Sequence, residues 1–91
     1  MNAVETTIMQ TVLKAVKDYN NVINILDPGV KTYFRRNYND LYQVLGNWEF
    51  IKSGNFIKIT YIEQYLDGRM EHCSETVPLE TIVKLAAEFI I

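Results

Sequence analysis

Phe56-Ile57-Lys58-Ile59-Thr60-Tyr61-Ile62-Glu63-Gln64-Tyr65, followed by Leu66-Asp67-Gly68-Arg69, decides how this chain is read. The first ten residues are dense in β-branched and aromatic side chains, which suit a pleated, half-buried surface. Asp-Gly after such a run signals a hairpin. A type I′ turn needs positive φ at both central residues, which Gly adopts freely and Asp tolerates. With Asp67 and Gly68 as the loop, Tyr65 is expected opposite Met70 and Glu63 opposite His72. Ile57, Ile59, Tyr61, Tyr65 and Met70 then share the core face, while Lys58, Thr60, Gln64, Arg69, Glu71, Cys73 and Glu75 lie on the other.

On the N-terminal side, Asn47 to Lys52 reads as a short strand and Ser53-Gly54-Asn55 as a tight turn. The expectation is an antiparallel meander over 47–52, 55–65 and 69–76. Val30, Phe34, Asn37, Tyr38, Leu41, Val44 and Leu45 recur at helical spacing, which predicts a helix over 30–45 with Gly46 just past its end. The β-propensity of that stretch also permits an extended reading. Asp27-Pro28-Gly29 reads as a stop, or as the N-cap and first position of that helix. Before it, Val4, Ile8, Val12, Ala15, Val16, Tyr19, Val22, Ile23 and Leu26 form one apolar stripe. This predicts a helix over 3–25, capped by Asn2 with Glu5 as its capping-box partner. Met9 and Leu13 widen the stripe beyond one core contact.

After the meander, Pro78 suits a first helical position and Glu80 the positive helix end. Leu79, Ile82, Val83, Ala86, Phe89 and Ile90 form a stripe, with Glu80, Lys84 and Glu88 paired at i,i+4 on the far side. Phe89-Ile90-Ile91 is expected to be buried, in the core or against a second copy. The fold class is therefore α+β, ordered α-α-β-β-β-α, in one domain over 1–91.

Composition narrows the function classes. Apolar residues at 48% and charged residues at 22% are ordinary globular values. A net charge of −2 and a pI near 5.3 give no global footprint for nucleic acid. Cys73 is the one cysteine, which excludes an intrachain disulfide and points to a reducing compartment. No stretch reads as a signal peptide or a membrane span, so a cytoplasmic protein without membrane contact is expected.

No constellation of catalytic type stands out. Glu63 beside His72 could orient a general base, but no nucleophile accompanies them, and Cys73 is expected on the face away from His72. One His, one Cys and scattered carboxylates lack zinc-type spacing, and the four glycines form no phosphate loop. The reading is a non-enzyme with no catalytic residues, no metal and no cofactor.

Two binding surfaces follow. Met9, Leu13, Phe89 and Ile91 are apolar beyond what one small core needs, and predict self-association as a homodimer. That suits a small regulatory or inhibitory interaction module, of the kind phages carry as accessory proteins. Alternatively, Lys31, Arg35, Tyr38 and Tyr42 on one helix flank would hold a small anionic ligand or single-stranded nucleic acid. Arg36 lies off that flank and is expected to pair with Asp40.

Overall fold

The computed structural model describes residues 1–15, 19–38 and 42–90. Its elements are α1 (Ala3–Lys14), α2 (Tyr19–Asn37), β1 (Gln43–Ile51), β2 (Phe56–Gln64), β3 (Met70–Pro78) and α3 (Leu79–Ala87). The strands form one antiparallel sheet in the order β1-β2-β3, so the expected class and element order hold. No helix among the described residues is long and apolar enough to cross a membrane.

The N-terminal helix boundaries differ from expectation. Asn2 caps α1, its Oδ1 accepting from the Glu5 N–H at 2.8 Å. The helix ends at Lys14, however, and Ala15 leaves helical geometry with ψ 89°. One helix over 3–25 would carry half of its stripe past a small core. Two helices bury both halves: Ile8 and Val12 from α1, and Val22, Leu26, Val30 and Phe34 from α2. α1 rests mainly against α3.

The expected stop at Asp27-Pro28-Gly29 lies inside α2. Proline in a helix interior costs about 3 kcal/mol, because it removes one ladder bond and crowds the preceding turn. Val22, Leu26, Val30 and Phe34 are each under 10% exposed, and burying each contributes about 1.5–3 kcal/mol. The buried stripe outweighs the proline. The carbonyl left without its ladder N–H belongs to Asn24, an exposed residue that water can reach.

The helix predicted over 30–45 ends at Asn37, and β1 begins at Gln43 rather than Asn47. β2 runs to Gln64, so Gln43, Val44 and Leu45 find partners at Glu63, Ile62 and Tyr61. Those cross-strand pairs override the helical spacing. Gly46 is not a helix end. It lies where the β1–β2 register shifts, between Leu45 and Asn47. A bulge there keeps Leu45, Trp48 and Phe50 all packed against the core although their spacing breaks period two.

The β2–β3 turn also differs. Tyr65 N–H donates to Arg69 O at 2.8 Å and Gly68 N–H to Tyr65 O at 3.0 Å, closing a three-residue loop, Leu66 to Gly68. Gly68 alone takes positive φ, at +90°. This is a type I turn followed by a glycine bulge. Asp67 serves it through its side chain, accepting from the Arg69 backbone N–H at 3.1 Å. The extra loop residue slips β3 by one position: Gln64 faces Met70, Glu63 faces Glu71, and Ile62 faces His72. A one-residue slip exchanges the faces of a strand. Ile57 and Ile59 are buried as expected, but Met70 is 64% exposed, and Glu71, Cys73, Glu75 and Val77 share the inner face.

α3 buries Leu79, Ile82, Val83, Ala86 and Ala87. Lys84 pairs with Glu80 at 3.4 Å as expected, while Glu88 turns to Arg36 at 3.2 Å. Asp40, the partner expected for Arg36, lies outside the described residues.

Trp48 ties the sheet to α2. Its Nε1–H donates to Asp27 Oδ1 at 2.9 Å, and Lys31 Nζ lies 2.8 Å from Asp27 Oδ2. Burial alone would raise the Asp27 carboxyl, but the Lys31 and Trp48 hydrogen bonds and the Lys31 charge hold it below its ordinary value. A depressed carboxyl contributes stability above the unfolded pKa, about 3.9, and loses it as pH falls through the folded one. Asp27→Ala is expected to cost about 1–3 kcal/mol at neutral pH by stranding the indole N–H. Urea unfolding followed by Trp48 fluorescence checks this, and the gap between wild type and variant should narrow in acid.

Candidate functional site

At the distal end of the hairpin, the slipped register builds a cluster the sequence did not disclose. Glu63, Glu71 and Cys73 bring their side-chain ligand atoms within 4.8 Å of one another, with Cys73 Sγ 4.0 Å from Glu63 Oε2. Tyr65 O–H donates to Glu71 Oε2 at 2.7 Å, and that bond is the main reason its phenol is pushed up to about 12. The expected Glu63–His72 pair does not form, because His72 pairs with Ile62 on the opposite face. No carboxylate–imidazole base is assembled there. Two carboxylates and one thiol do not by themselves define a metal centre.

Deeper under α2, Tyr38 stacks on Phe34 with ring centroids 5.0 Å apart and lies 4.7 Å from Tyr61. The Tyr33 and Tyr38 phenols lie against the Glu75 carboxylate. Burial first, and that negative charge with it, push both phenols above their ordinary range. Glu75 Oε1 is buried without a hydrogen-bond partner among the described residues. A two-residue turn would put Glu75 on the face opposite the core; the glycine bulge pairs it with Ile59 on the inner face.

The four residues of the expected anion-binding flank are not on one helix. Lys31 and Arg35 lie exposed on α2, with Lys31 paired to Asp27. Tyr38 follows the end of the helix and packs in the aromatic cluster, and Tyr42 stands just before β1. A hollow of about 450 Å³ does include Tyr42, with Glu63, Tyr65, Leu66 and Arg69. The cation among its lining residues is already engaged: Arg69 pairs with Asp67 at 2.7 Å and lies 4.9 Å above the Tyr65 ring.

The helical end offers a different surface. Ala3, Val4, Thr7, Ile8 and Thr11 of α1, Ile25 of α2 and Ile90 line an apolar groove of about 420 Å³. Helical spacing explains the α1 contribution, since positions 3, 4, 7, 8 and 11 fall on one face. Phe89 and Ile90, in the turn after α3, are each 56% exposed, so the chain's own core does not bury them as expected. Of the other residues expected at a self-association surface, Met9 packs against the core, and Leu13 is 37% exposed. Leu13 lies about 200° around the helix from Thr11, away from the groove. Ile91 lies outside the described residues. Thr11 falls inside the apolar stripe of the sequence, whereas Ala3 and Thr7 give no signal there, because small residues become part of a groove only once Ile25 and Ile90 flank them.

No family model, curated protein or solved structure matches the chain.

Proposed function

We propose that the protein is a non-catalytic interaction module that binds a second copy of itself through the helical end. One observation carries this reading: an apolar groove open to solvent whose lining residue Ile90 is 56% exposed. Contiguous exposed apolar surface is disfavoured in monomers and marks interaction sites. None of the seven groove-lining residues is charged, and Glu88 of the adjoining turn is already paired with Arg36. Covering this surface therefore strands no unpaired charge, the usual penalty at an interface core. A regulatory or inhibitory accessory role fits such a module.

The outer face of the sheet also exposes Val44 and Met70, but Gln64 and His72 interrupt them. Sedimentation velocity over a dilution series distinguishes the two surfaces. The wild type is expected to dimerise and to dissociate on dilution, and Met70→Lys is expected to behave identically. A monomer at every concentration would refute the reading, and a Met70→Lys monomer would move the interface to the sheet.

A further inference from the structure

We infer that the free edge of β3 binds an extended basic segment of another protein, which joins the sheet as a fourth strand. At one end of the β2–β3 pair Tyr65 N–H donates to Arg69 O, and at the other Leu79 N–H donates to Asn55 O at 3.0 Å. Hydrogen-bonded pairs alternate along an antiparallel ladder, so both ends require the odd-numbered residues of β3 to turn their backbone groups to β2. Met70, His72, Ser74 and Thr76 therefore turn N–H and C=O away from the sheet. The β2–β3 register runs without a break, and among the described elements β3 meets only β2 and the α3 helix that follows it. An unpaired row of this kind is a template for a further strand. The opposite edge is blunted, because the register shift at Gly46 interrupts β1.

Charge selects the occupant. β3 holds Glu71 and Glu75 and no Lys or Arg, and both carboxylates lie on the inner face, about 13 Å apart along the strand. No cation among the described residues pairs with either. Inward charges on an edge refuse an identical strand. Two β3 strands paired antiparallel about an axis at Cys73 would set Glu71 opposite Glu75 twice, and an axis at Ser74 would make the carboxylates diagonal neighbours. A strand with Lys or Arg at two inward positions four apart instead meets both carboxylates, and does so in either direction. None of the residues lining the apolar groove belongs to β3, so this surface is separate from the one proposed for self-association.

Amide hydrogen exchange read by NMR tests this with a nine-residue peptide of alternating threonine and valine, with lysine replacing threonine at its third and seventh positions, and with the glutamate version of it. The lysine peptide is expected to slow exchange at His72, Ser74 and Thr76 and to leave Cys73 and Val77, already bonded to β2, unchanged. It should bind at least tenfold more tightly than the glutamate peptide, and the difference should shrink as salt rises. Ser74→Pro removes one outward N–H where an edge strand accepts proline, and is expected to keep the circular dichroism spectrum and lose the peptide. N-methylation of the peptide backbone should produce the same loss on the unaltered protein. Glu71→Lys, at an exposed position, is expected to abolish the preference between the two peptides. Equal binding of the two peptides, no binding of either, or protection that ignores the alternation overturns the proposal. So does protection of His72, Ser74 and Thr76 that rises with protein concentration alone, which would give the edge to a second copy.

Discussion

Gly29→Val is expected to destabilise the protein by about 3 kcal/mol or more, the upper end of what overpacking a well-filled interior costs. A Cβ built at Gly29 would lie 2.6 Å from Ile82 O, 2.9 Å from Ala86 N and 3.1 Å from Ala86 Cβ. Two of those three atoms are backbone, which cannot rotate away as a side-chain tip could. The requirement is for closeness alone, since the glycine is in ordinary helical conformation. Elsewhere in a helix Gly→Ala gains about 1 kcal/mol from propensity. Here Gly29→Ala should still lose stability, because its one added carbon is the atom that collides. Urea unfolding of the two variants checks the ordering wild type above Ala above Val. An alanine variant as stable as the wild type would mean that α2 and α3 can separate at little cost. The Val variant is also expected to lose dimerisation, since this contact positions Ile25 and the turn holding Ile90 on one surface.

Ile59→Ala is expected to cost about 2–5 kcal/mol, a large part of the roughly 5–15 kcal/mol typical of a small domain. Ile59 is fully buried on the central strand, opposite Trp48 on one side and Glu75 on the other. Neither edge of the sheet can close over the vacated volume without disturbing the Trp48–Asp27 hydrogen bond or the carboxylate under Tyr33 and Tyr38. Ile62→Ala supplies the control within the same strand, because Ile62 faces outward and is only half-buried. It should cost about 1 kcal/mol or less. Equal losses at the two positions would mean that the outer face is covered in solution, which would draw the interface away from the helical end.

Much of the fold is legible because its signals are local. Ile57, Lys58, Ile59 and Thr60 alternate as a half-buried strand should, and Leu79 to Ala87 keeps one helical stripe from its proline start. Asn2 caps the first helix through its own side chain. The differences arise where distant contacts override local preference. The apolar period runs unbroken from Val4 to Val30, so nothing in it marks the break after Lys14. Pro28 looks like a terminator until the packing of α2 on α3 is known. Asp67-Gly68 suggests a two-residue turn, yet Asp67 does more as a side-chain acceptor for Arg69 than it could at positive φ.

The candidate site is legible to a different degree. Phe89 stands out as an apolar residue in excess, whereas the groove depends on how two helices and a turn meet. Leu13 and Met9 are conspicuous in the stripe and lie elsewhere.

The glycine-bulge loop sets a rule for how this chain tolerates insertions and deletions. Loop tips are usually where a chain accepts length changes freely, and Leu66 is 86% exposed. Removing one residue here would turn β3 inside out, carrying Val77 into water and Thr76 into the core, just ahead of α3. Adding or removing two would preserve the side-chain parity. The hairpin tip is thus restrictive in length as well as at Gly68, which needs its positive φ, and length changes there should come in steps of two.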